Sequence, residues 1–200
     1  MELRELAGFG AATVFEAAGA AGGLDAGVRA VWKGAACCGP ALPVECAAGD
    51  NLAIHRAVAA CSGGEVLVVA AQGHLAGYWG EVLTVAALAR GVAGLVIDGG
   101  VRDVEALERH RFPVFARGIS IQRTVKHEPG RYGEPVVCSG VLVGPGDVVV
   151  ADSDGVVVVA RDRAAEVLEK SRARAERELE MMARLREGEL TLDLLGLRPG

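Results

Sequence analysis

The sequence predicts an α/β fold: a layered, swivelling β/β/α-type domain with a parallel βαβ core, a β-rich C-terminal half and a long C-terminal helix. Three observations carry this prediction. Apolar runs at 65–70 and 94–97 have the pattern of strands buried on both faces, and a segment of helical spacing separates them. Strand, helix and strand in this order form a right-handed crossover between parallel strands. Beyond residue 135 the pattern predicts short β segments, followed by a helix that is rich in charged residues.

Length and composition predict one compact domain. Of the 200 residues, 51% are hydrophobic and 24% are charged, which is enough apolar chain to bury one sizeable core without disulfides or a structural metal. We expect this single domain to cover residues 1–160. Residues 161–200 are predicted to form a C-terminal helix and tail that pack on a neighbouring subunit.

Charge and cysteine usage argue against several function classes. The formal net charge is -5 and the basic residues form no stripe outside the C-terminal helix, so nucleic acid is not the expected partner. The first residues carry acidic charge where a signal peptide carries basic charge, and no apolar window of about 18 residues occurs. Cysteines without a C-x-x-C pair are typical of reduced thiols. We therefore expect a cytoplasmic protein that binds no membrane.

The N-terminal quarter is predicted to contain two helices and two extended segments. In order, these are a helix at 9–18, extended segments at 28–32 and 35–44, and a helix from 49 to 60. A cluster of glycines ends the first helix. Asp50 or Asn51 can cap the free amides of the second.

The central part of the chain contains the predicted crossovers. In order, its pattern gives a strand at 65–70, a glycine-rich loop, a helix at 81–90, a strand at 94–97, a loop at 98–101, a helix from 103 and a short strand at 113–115. Gly91 ends the first of these helices, and the second stops before Pro113.

The C-terminal part is predicted to begin with a long ordered loop. The expected elements are a loop at 116–135, short β segments at 136–143, 147–151 and 155–160, and a helix at 161–187. This last helix has one apolar stripe among many charges, which requires a covering surface. The chain's own sheet or a neighbouring subunit can provide that surface.

Two adjacent loops have the position of a ligand site. In parallel α/β sheets, ligands bind beyond the carboxyl ends of the strands, where loops lead into helices. The loop 73–81 leads into a helix, so the amides from Gly80 to Leu83 are free donors that suit a carboxylate or phosphate. The next loop, Asp98-Gly-Gly-Val-Arg-Asp103, places a guanidinium beside a carboxylate at a second helix start.

These residue types favour a small dianionic substrate that is bound through a metal. Arg102 can bind a carboxylate through two hydrogen bonds, and Asp103 offers a hard oxygen ligand. Glu81 can reach the same cation or one of its waters. One Asp ligand with waters suits Mg²⁺ or Mn²⁺ better than Zn²⁺. From spacing alone, a surface ion pair or a helix cap explains the Arg102-Asp103 pair equally well.

Three segments resemble a known enzyme family. They are Gly77-Tyr-Trp-Gly-Glu-Val-Leu-Thr84, the stretch from Arg90 to Val104 that contains the Arg-Asp pair, and Pro145-Gly-Asp-Val-Val-Val-Ala-Asp-Ser-Asp-Gly-Val156. Together they resemble the 4-hydroxy-4-methyl-2-oxoglutarate / 4-carboxy-4-hydroxy-2-oxoadipate aldolase family. That family shares its fold with the regulator of ribonuclease activity A. The resemblance runs from about Phe9 to the C-terminus.

The resemblance implies a metal-dependent (class II) pyruvate aldolase that also decarboxylates oxaloacetate. It implies a homo-oligomer, a trimer or a dimer of trimers, with active sites at the subunit interfaces. In such enzymes the amides that match Gly80, Glu81, Val82 and Leu83 hold pyruvate together with Arg102. Asp103 matches the residue that holds the metal.

Other site residues follow from the same resemblance. This sequence has Glu81 where relatives often have Asp, and the longer arm changes how a metal-bound water would be ordered. Lys126 and Asn51 match residues near the substrate. A carboxylate from the C-terminal helix of the neighbouring subunit is expected to complete the site as a catalytic group. Glu178 is the expected residue, with Glu176 and Glu180 as close alternatives.

Three alternative functions are weighed against this one. The first is a non-catalytic regulator of ribonuclease activity that acts by protein-protein binding; such regulators resemble this sequence around Arg102 but lack the acidic residue at Asp103. The second is a Schiff-base aldolase, for which Lys126 is the available amine. The third, a methyltransferase, has no support beyond glycine-rich loops.

The remaining polar and aromatic residues are predicted to have structural roles. The histidines, His55, His74, His110 and His127, are scattered, and we interpret them as structural or surface residues, with His74 the strongest exception because of its loop. Tyr78 and Trp79 are expected to be pocket walls or packing residues.

Overall fold

The computed structural model describes residues 2–198, which form helices on both sides of a mixed sheet. The helices are α1 (Glu2–Ala17), α2 (Leu52–Ala60), α3 (Glu81–Ala89), α4 (Val104–Arg109), α5 (Ala164–Arg186) and α6 (Thr191–Leu194). The strands are β1 (Arg29–Ala30), β2 (Cys37–Glu45), β3 (Val66–Ala70), β4 (Gly94–Val101), β5 (Val114–Ile119), β6 (Arg131–Tyr132), β7 (Val136–Cys138), β8 (Val141–Val143), β9 (Val148–Ala151) and β10 (Val156–Val159).

The core of the main sheet is parallel, as predicted. Its strand order is β1-β5-β4-β3-β2-β9-β10, with β6 paired to β2. The four central strands β2, β3, β4 and β5 run parallel, and β1, β6, β9 and β10 are antiparallel to their neighbours. All five residues of β3 are buried, since helices and the β7-β8 hairpin cover its two faces. The predicted α/β fold class is confirmed.

Strand β4 is longer than the sequence predicts. The segment 98–101, predicted as a loop, continues the strand, and the register to β5 shifts between Ile97 and Gly100. A β-carbon on Gly100 would lie 2.5 Å from the Ala76 carbonyl oxygen, so only glycine lets the preceding loop pass this close. As a result, Arg102 and Asp103 directly follow a strand end.

The first helix is also longer than predicted and has a kink. The predicted helix at 9–18 is its second half, and Gly10 interrupts the helical backbone with φ of 78°. Glycine adopts this left-handed conformation without a steric penalty. Beyond the kink the helix begins again, and the Ala11 amide donates to Asp152 Oδ2 at 2.7 Å.

The C-terminal helix begins on the chain's own core. Ala164, Val167 and Leu168 are buried with α1, β9 and β10. Farther along, Leu179 and Met182 are exposed, so the packing of this part on a neighbouring subunit stays a prediction. Residues 199 and 200 of the predicted tail lie outside the described residues.

The predicted 116–135 loop is shorter than expected, because β5 extends to Ile119 and β6 pairs with β2. The part that remains irregular, here called the 120–130 loop, is fixed by backbone hydrogen bonds. The Gly77 amide donates to the Gln122 carbonyl at 2.7 Å, and the Val125 amide donates to the Gly49 carbonyl at 2.9 Å. These bonds hold the loop across the carboxyl ends of the parallel strands.

Two further expectations concern membranes and thiols. Within residues 2–198, no helix combines the length and the apolar character that a membrane span requires. The five cysteines, all within residues 2–198, form no disulfide bonds. Burial raises the pKa of Cys37 and of Cys46 to about 12, so these thiols stay protonated at neutral pH.

Candidate active site

A cavity of about 280 Å³ lies at the carboxyl edge of the parallel strands. The segments that line it follow β2, β3, β4 and β5, as expected for a ligand site in this kind of sheet. Its lining residues are Asn51, His55, Gly77, Tyr78, Gly80, Val82, Leu83, Arg102, Asp103, Arg123, Thr124 and Lys126. The structure thus brings together most of the predicted site residues. Glu81 and Glu178 are the two that do not line this cavity.

The cavity has two walls of different origin. One, here called the strand-edge wall, consists of the start of α3 with Arg102 and Asp103, from the loops that follow β3 and β4. The other, here called the loop wall, consists of Asn51 and His55 at the start of α2 and of residues 123–126 in the 120–130 loop.

The start of α3 supplies free amides to the strand-edge wall. The helical hydrogen bonds of α3 begin with the Thr84 amide, which donates to the Gly80 carbonyl at 3.1 Å. The Glu81 amide instead donates to Asp103 Oδ2 at 3.0 Å. The amides of Val82 and Leu83 precede the helical bonding pattern and therefore have no acceptor within the helix. Together with the helix dipole, they form a site for an anionic group.

Gly80 permits close contact between the α3 start and the Arg102-Asp103 pair. A β-carbon at Gly80 would lie 2.3 Å from Asp103 Oδ2 and 3.2 Å from Arg102 Cγ. The adjacent backbone is fixed as well, because the Arg102 amide donates to the Trp79 carbonyl at 2.9 Å. The Trp79 indole in turn donates to Thr84 Oγ1 at 2.7 Å. The wall is therefore held in one arrangement before any ligand binds.

Asp103 does not act as an ordinary helix cap. Its side chain makes no capping bond to α4, and its backbone has φ of 58°, a left-handed conformation that is unfavourable for Asp. Its carboxylate lies 3.7 Å from Arg102 Nε, and both side chains are about half exposed. An exposed ion pair at this distance stabilises the fold little. The helix-cap interpretation of this pair is therefore wrong, and a weak ion pair does not account for the backbone conformation.

The 120–130 loop contributes positive charge to the loop wall. Lys126 was predicted near the substrate, whereas Arg123 and Thr124 were not. The signal for Arg123 is its spacing of three residues from Lys126 in the same loop. Both cationic side chains face a cavity that Arg102 also lines, so the cavity is suited to a substrate with more than one negative charge.

Asp50 fixes the end of this loop. Its Oδ2 accepts hydrogen bonds from the amides of His127 at 2.6 Å and Glu128 at 2.8 Å, and its Oδ1 accepts one from the Leu52 amide at 2.9 Å. Burial raises the pKa of Asp50, but these three amide donors outweigh it and hold the pKa below its ordinary value. Asp50, not Asn51, thus caps α2, and it joins that helix to the segment after Lys126.

Asn51 and His55 both line the cavity, and each has a buried polar side-chain atom without a partner among the described residues. Asn51 is 5% exposed, and its Nδ2 donates to the Tyr78 carbonyl at 2.9 Å. Asn51 Oδ1 and His55 Nε2 are buried atoms with no hydrogen-bond partner in the described part of the chain. His55, predicted to be a structural or surface residue, lies in the lining of the cavity. The signal available in the sequence was its spacing of four residues from Asn51 on one helix face.

The Glu81 side chain lies outside the cavity. Its Oε1 is 3.0 Å from His110 Nε2 and 3.5 Å from Arg109 Nη2, at the end of α4. An open groove on that side is lined by Glu81, Asp103, Val104, Glu105, Ala106 and Arg109. Asp103 therefore borders both the cavity and the groove. A role for the Glu81 carboxylate in ordering a water stays a prediction.

Glu178 lies on α5 and is paired with Arg174, whose Nε is 2.8 Å from Glu178 Oε1. Its contribution to the cavity of a neighbouring subunit stays a prediction, as do the alternatives Glu176 and Glu180. The C-terminal half of α5, which carries all three carboxylates, is largely exposed in this chain and is therefore available for such a contact.

The donor set fits a hard divalent cation. Within residues 2–198, no group of three or more His, Cys, Asp or Glu side chains is arranged to hold a metal, so any cation here would have few protein ligands. Mg²⁺ typically binds through one or two carboxylates and keeps several waters or substrate oxygens. The Asp103 carboxylate, which lines the cavity, is an oxygen donor of this type.

Comparison with known sequences gives a family match over most of the chain. The sequence profile described as "RraA-like: Aldolase/RraA" matches residues 11–158. A Halalkalibacterium halodurans protein named "Putative 4-hydroxy-4-methyl-2-oxoglutarate aldolase" is 38% identical over 135 residues, which cover 67% of this chain and only 64% of that relative. A Xanthomonas campestris protein of the same name is 37% identical over 65% of this chain and 78% of its own length.

Solved structures share the fold. A Streptomyces coelicolor protein, described as "an unusual member of the RNase ES inhibitor RraA protein family", has a TM-score of 0.79 at 30% identity, covering 92% of this chain and 96% of that chain. The RNA-processing inhibitor RraA from Thermus thermophilis has a TM-score of 0.63 at 27% identity, covering 68% of this chain and 84% of that chain. The chain is therefore similar in sequence to relatives named as aldolases and in fold to structures described as RraA proteins.

Proposed function

Because the chain belongs to the RraA-like (Aldolase/RraA) family, we propose that it is a divalent-metal-dependent pyruvate aldolase. It would cleave 4-hydroxy-2-oxo acids such as 4-hydroxy-4-methyl-2-oxoglutarate to pyruvate and also decarboxylate oxaloacetate. The observation that carries this proposal is the meeting of free α3 amides, Arg102 and Asp103 in one cavity. A family shared with aldolase-named relatives supports the lyase class.

The strand-edge wall is suited to hold the pyruvate part of the substrate. The free amides of Val82 and Leu83 bind the carboxylate at the positive end of the helix dipole. The Arg102 guanidinium donates to the 2-oxo oxygen and draws electron density from it. When the C3-C4 bond of the substrate breaks, its electrons enter an enolate whose oxygen stays against this guanidinium.

Asp103 would hold Mg²⁺ or Mn²⁺, and the bound cation would supply Lewis acidity to the 2-oxo group. Protonation of the enolate at C3 then requires a water, and the carboxylate of Glu81 lines the groove on the outer side of Asp103. Glu178 of a neighbouring subunit would close the open side of the cavity. Lys126 offers a positive charge to the distal end of the substrate.

A homo-oligomer, either a trimer or a dimer of trimers, forms part of the proposal. Apolar side chains near the cavity mouth are exposed in the single chain, among them Val82 at 80% and Ile121 at 88%. Exposed apolar clusters beside a cavity are typical of protein-protein contacts. Leu179 and Met182 on α5 are exposed as well, so both halves of such a contact are available in one chain.

The test measures pyruvate release from oxaloacetate and from a panel of 4-hydroxy-2-oxo acids, with Mg²⁺, with Mn²⁺ and with excess chelator. We expect metal-dependent release that Arg102→Ala and Asp103→Ala abolish. Matched controls are Arg111→Ala and Asp162→Ala, which replace exposed residues away from the cavity. Full activity in excess chelator, combined with inactivation by borohydride, would favour a Schiff base on Lys126 instead.

A second candidate function is regulation of a ribonuclease by protein-protein binding. The observation in its favour is the 30% identity and full-length fold match to a member of the RNase ES inhibitor family. Asp103 argues against it, because the regulators that this sequence resembles lack an acidic residue there. Inhibition of an RNase E-type ribonuclease by a chain that releases no pyruvate from any substrate of the panel would establish this second function.

A further inference from the structure

We propose that Asn51 Oδ1 and His55 Nε2 accept hydrogen bonds from the C4 hydroxyl of the substrate. His55 then removes the proton of this hydroxyl during aldol cleavage. This inference rests on the proposed function and assigns a specific step to the loop wall. It also corrects the expectation that the histidines of this chain have only structural roles.

The first support is the geometry of α2. Asn51 precedes the helix and His55 is four residues farther on, so both side chains lie on one face of its first turn. The Asn51 amide has a fixed orientation, because the Tyr78 carbonyl can only accept and therefore takes the Nδ2 donor at 2.9 Å. Asn51 Oδ1 and His55 Nε2 are then both left without a partner in the described part of the chain, and both residues line the cavity.

The second support is the match of donors and acceptors. The other polar groups of the cavity are mainly donors: the free amides of α3, Arg102, Arg123 and Lys126. Donors suit the carboxylate and 2-oxo oxygens of a 4-hydroxy-2-oxo acid. The C4 hydroxyl is the one donor on the carbon skeleton of such an ionised substrate, and it requires an acceptor. With Asp103 assigned to the cation, Asn51 Oδ1 and His55 Nε2 are the buried acceptors that remain unpaired.

The third support is the charge state of His55. Burial lowers the pKa of His55, and the nearby charge of Lys126 lowers it further. The other charged groups that line the same cavity are Arg102 and Arg123, which are positive, and Asp103, which is negative. The imidazole is therefore neutral at neutral pH, and with its proton on Nδ1 it presents Nε2 as a base.

The proposed cleavage requires no reactant other than the substrate and water. Nε2 takes the hydroxyl proton, the O-H electron pair forms the new C4 carbonyl, and the C3-C4 pair becomes the enolate double bond. Water then protonates C3 to give pyruvate, and the imidazolium returns its proton to solvent. Oxaloacetate has a carboxylate at C4 and no hydroxyl, so its decarboxylation reaches the same enolate with no proton to remove. The two reactions therefore separate the role of His55 from that of the strand-edge wall.

The experiment compares both reactions in His55→Gln, Asn51→Ala and the control His127→Gln, all as full-length metal-loaded protein. Glutamine keeps a hydrogen-bonding side chain but cannot act as a base. For His55→Gln we expect kcat for aldol cleavage to fall about 100-fold, the usual scale of general base catalysis, while oxaloacetate decarboxylation changes by less than about threefold. For Asn51→Ala we expect a raised KM for 4-hydroxy acids and an unchanged KM for oxaloacetate. His127→Gln should match the wild type in both reactions.

Pyruvate affinity, measured by calorimetry, shows whether each variant keeps a folded site. A selective loss of aldol cleavage with unchanged pyruvate affinity supports the inference. Equal losses in both reactions, or an unchanged aldol rate in His55→Gln, overturn it and leave the proposed function standing. A wild-type chain that catalyses neither reaction overturns both.

Discussion

The two walls of the cavity differ in how the chain builds them. The strand-edge wall uses two consecutive strand-loop-helix units, and Gly80 at the start of the first touches Asp103 at the start of the second. The loop wall joins α2, which follows β2, to a loop that follows β5, through the three hydrogen bonds of Asp50. The strand-edge wall combines the free amides of α3 with Arg102 and Asp103, whereas the loop wall adds the buried unpaired atoms Asn51 Oδ1 and His55 Nε2. Under the function proposed above, the strand-edge wall would hold the pyruvate unit and the loop wall would recognise the C4 substituents.

The largest effect is expected from Asp103→Asn. Asparagine keeps an oxygen that can accept from the Glu81 amide, so the structure should be retained while the negative charge is lost. Both reactions should slow by at least about 1000-fold, because a bound metal supplies several kcal/mol of transition-state stabilisation. Initial rates over a Mg²⁺ titration measure this effect, with Asp162→Asn as the control. Near-normal rates in the variant would show that Asp103 is not the cation ligand.

Gly80→Ala should have the next largest effect. The added β-carbon would lie 2.3 Å from Asp103 Oδ2, so the carboxylate must move. A shift of about 1 Å in a catalytic group can cost about 100-fold, and we expect that loss in both reactions. The matched control is Gly8→Ala, where no atom lies within 4 Å of the new β-carbon. If Gly80→Ala slowed only aldol cleavage, the two walls would not have separate roles.

These two predictions concern the strand-edge wall, whose residues can be predicted from the sequence. Gly80, Arg102 and Asp103 lie at the ends of successive βα units, so hydrophobic periodicity alone places them at one sheet edge. Hydrophobic periodicity predicted a strand that ends at residue 97, because the two glycines after Asp98 are typical of a loop. In the structure those glycines keep the strand extended while the preceding loop passes close to it.

The residues of the loop wall are harder to predict from the sequence. Lys126 and Asn51 were expected from the resemblance alone, and His55 and Arg123 were not recognised. Their proximity depends on contacts such as the bonds from Asp50 to His127 and Glu128, which span more than 70 residues of chain. No local periodicity encodes such a contact. The contact between the Glu81 carboxylate and His110, which is 29 residues away, could not be predicted from the sequence for a similar reason.

Asp50→Asn tests the connection that assembles the loop wall. Asparagine has one acceptor oxygen in place of two, so it cannot satisfy the amides of both α2 and the 120–130 loop. We expect KM for 4-hydroxy acids to rise about tenfold with little change in kcat, and the free energy of unfolding to fall by about 1–3 kcal/mol. Steady-state kinetics and urea unfolding measure these effects. An unchanged KM would show that the loop keeps its place without Asp50.

The stability effect of Asp50 has a defined pH dependence. Its pKa is lower in the folded chain than in the unfolded chain, so its stabilising contribution is complete above the unfolded pKa. The contribution is lost as the pH falls through the lower, folded pKa. The difference in unfolding free energy between wild type and Asp50→Asn should therefore be constant near neutral pH and shrink in acid. A difference that grows in acid would contradict this assignment.

The smallest effect is expected from Glu81→Asp, which tests whether this side chain belongs to the strand-edge wall. The shorter arm keeps its charge at the start of α3 but loses the 3.0 Å contact to His110. Exposed ion pairs contribute under about 1 kcal/mol, so stability should barely change and both rates should stay within about threefold of the wild type. A tenfold loss in both reactions would show that His110 positions Glu81 for catalysis. A comparable gain would show that His110 draws the carboxylate away from the reacting atoms, because the shorter side chain would then be free to turn toward Asp103.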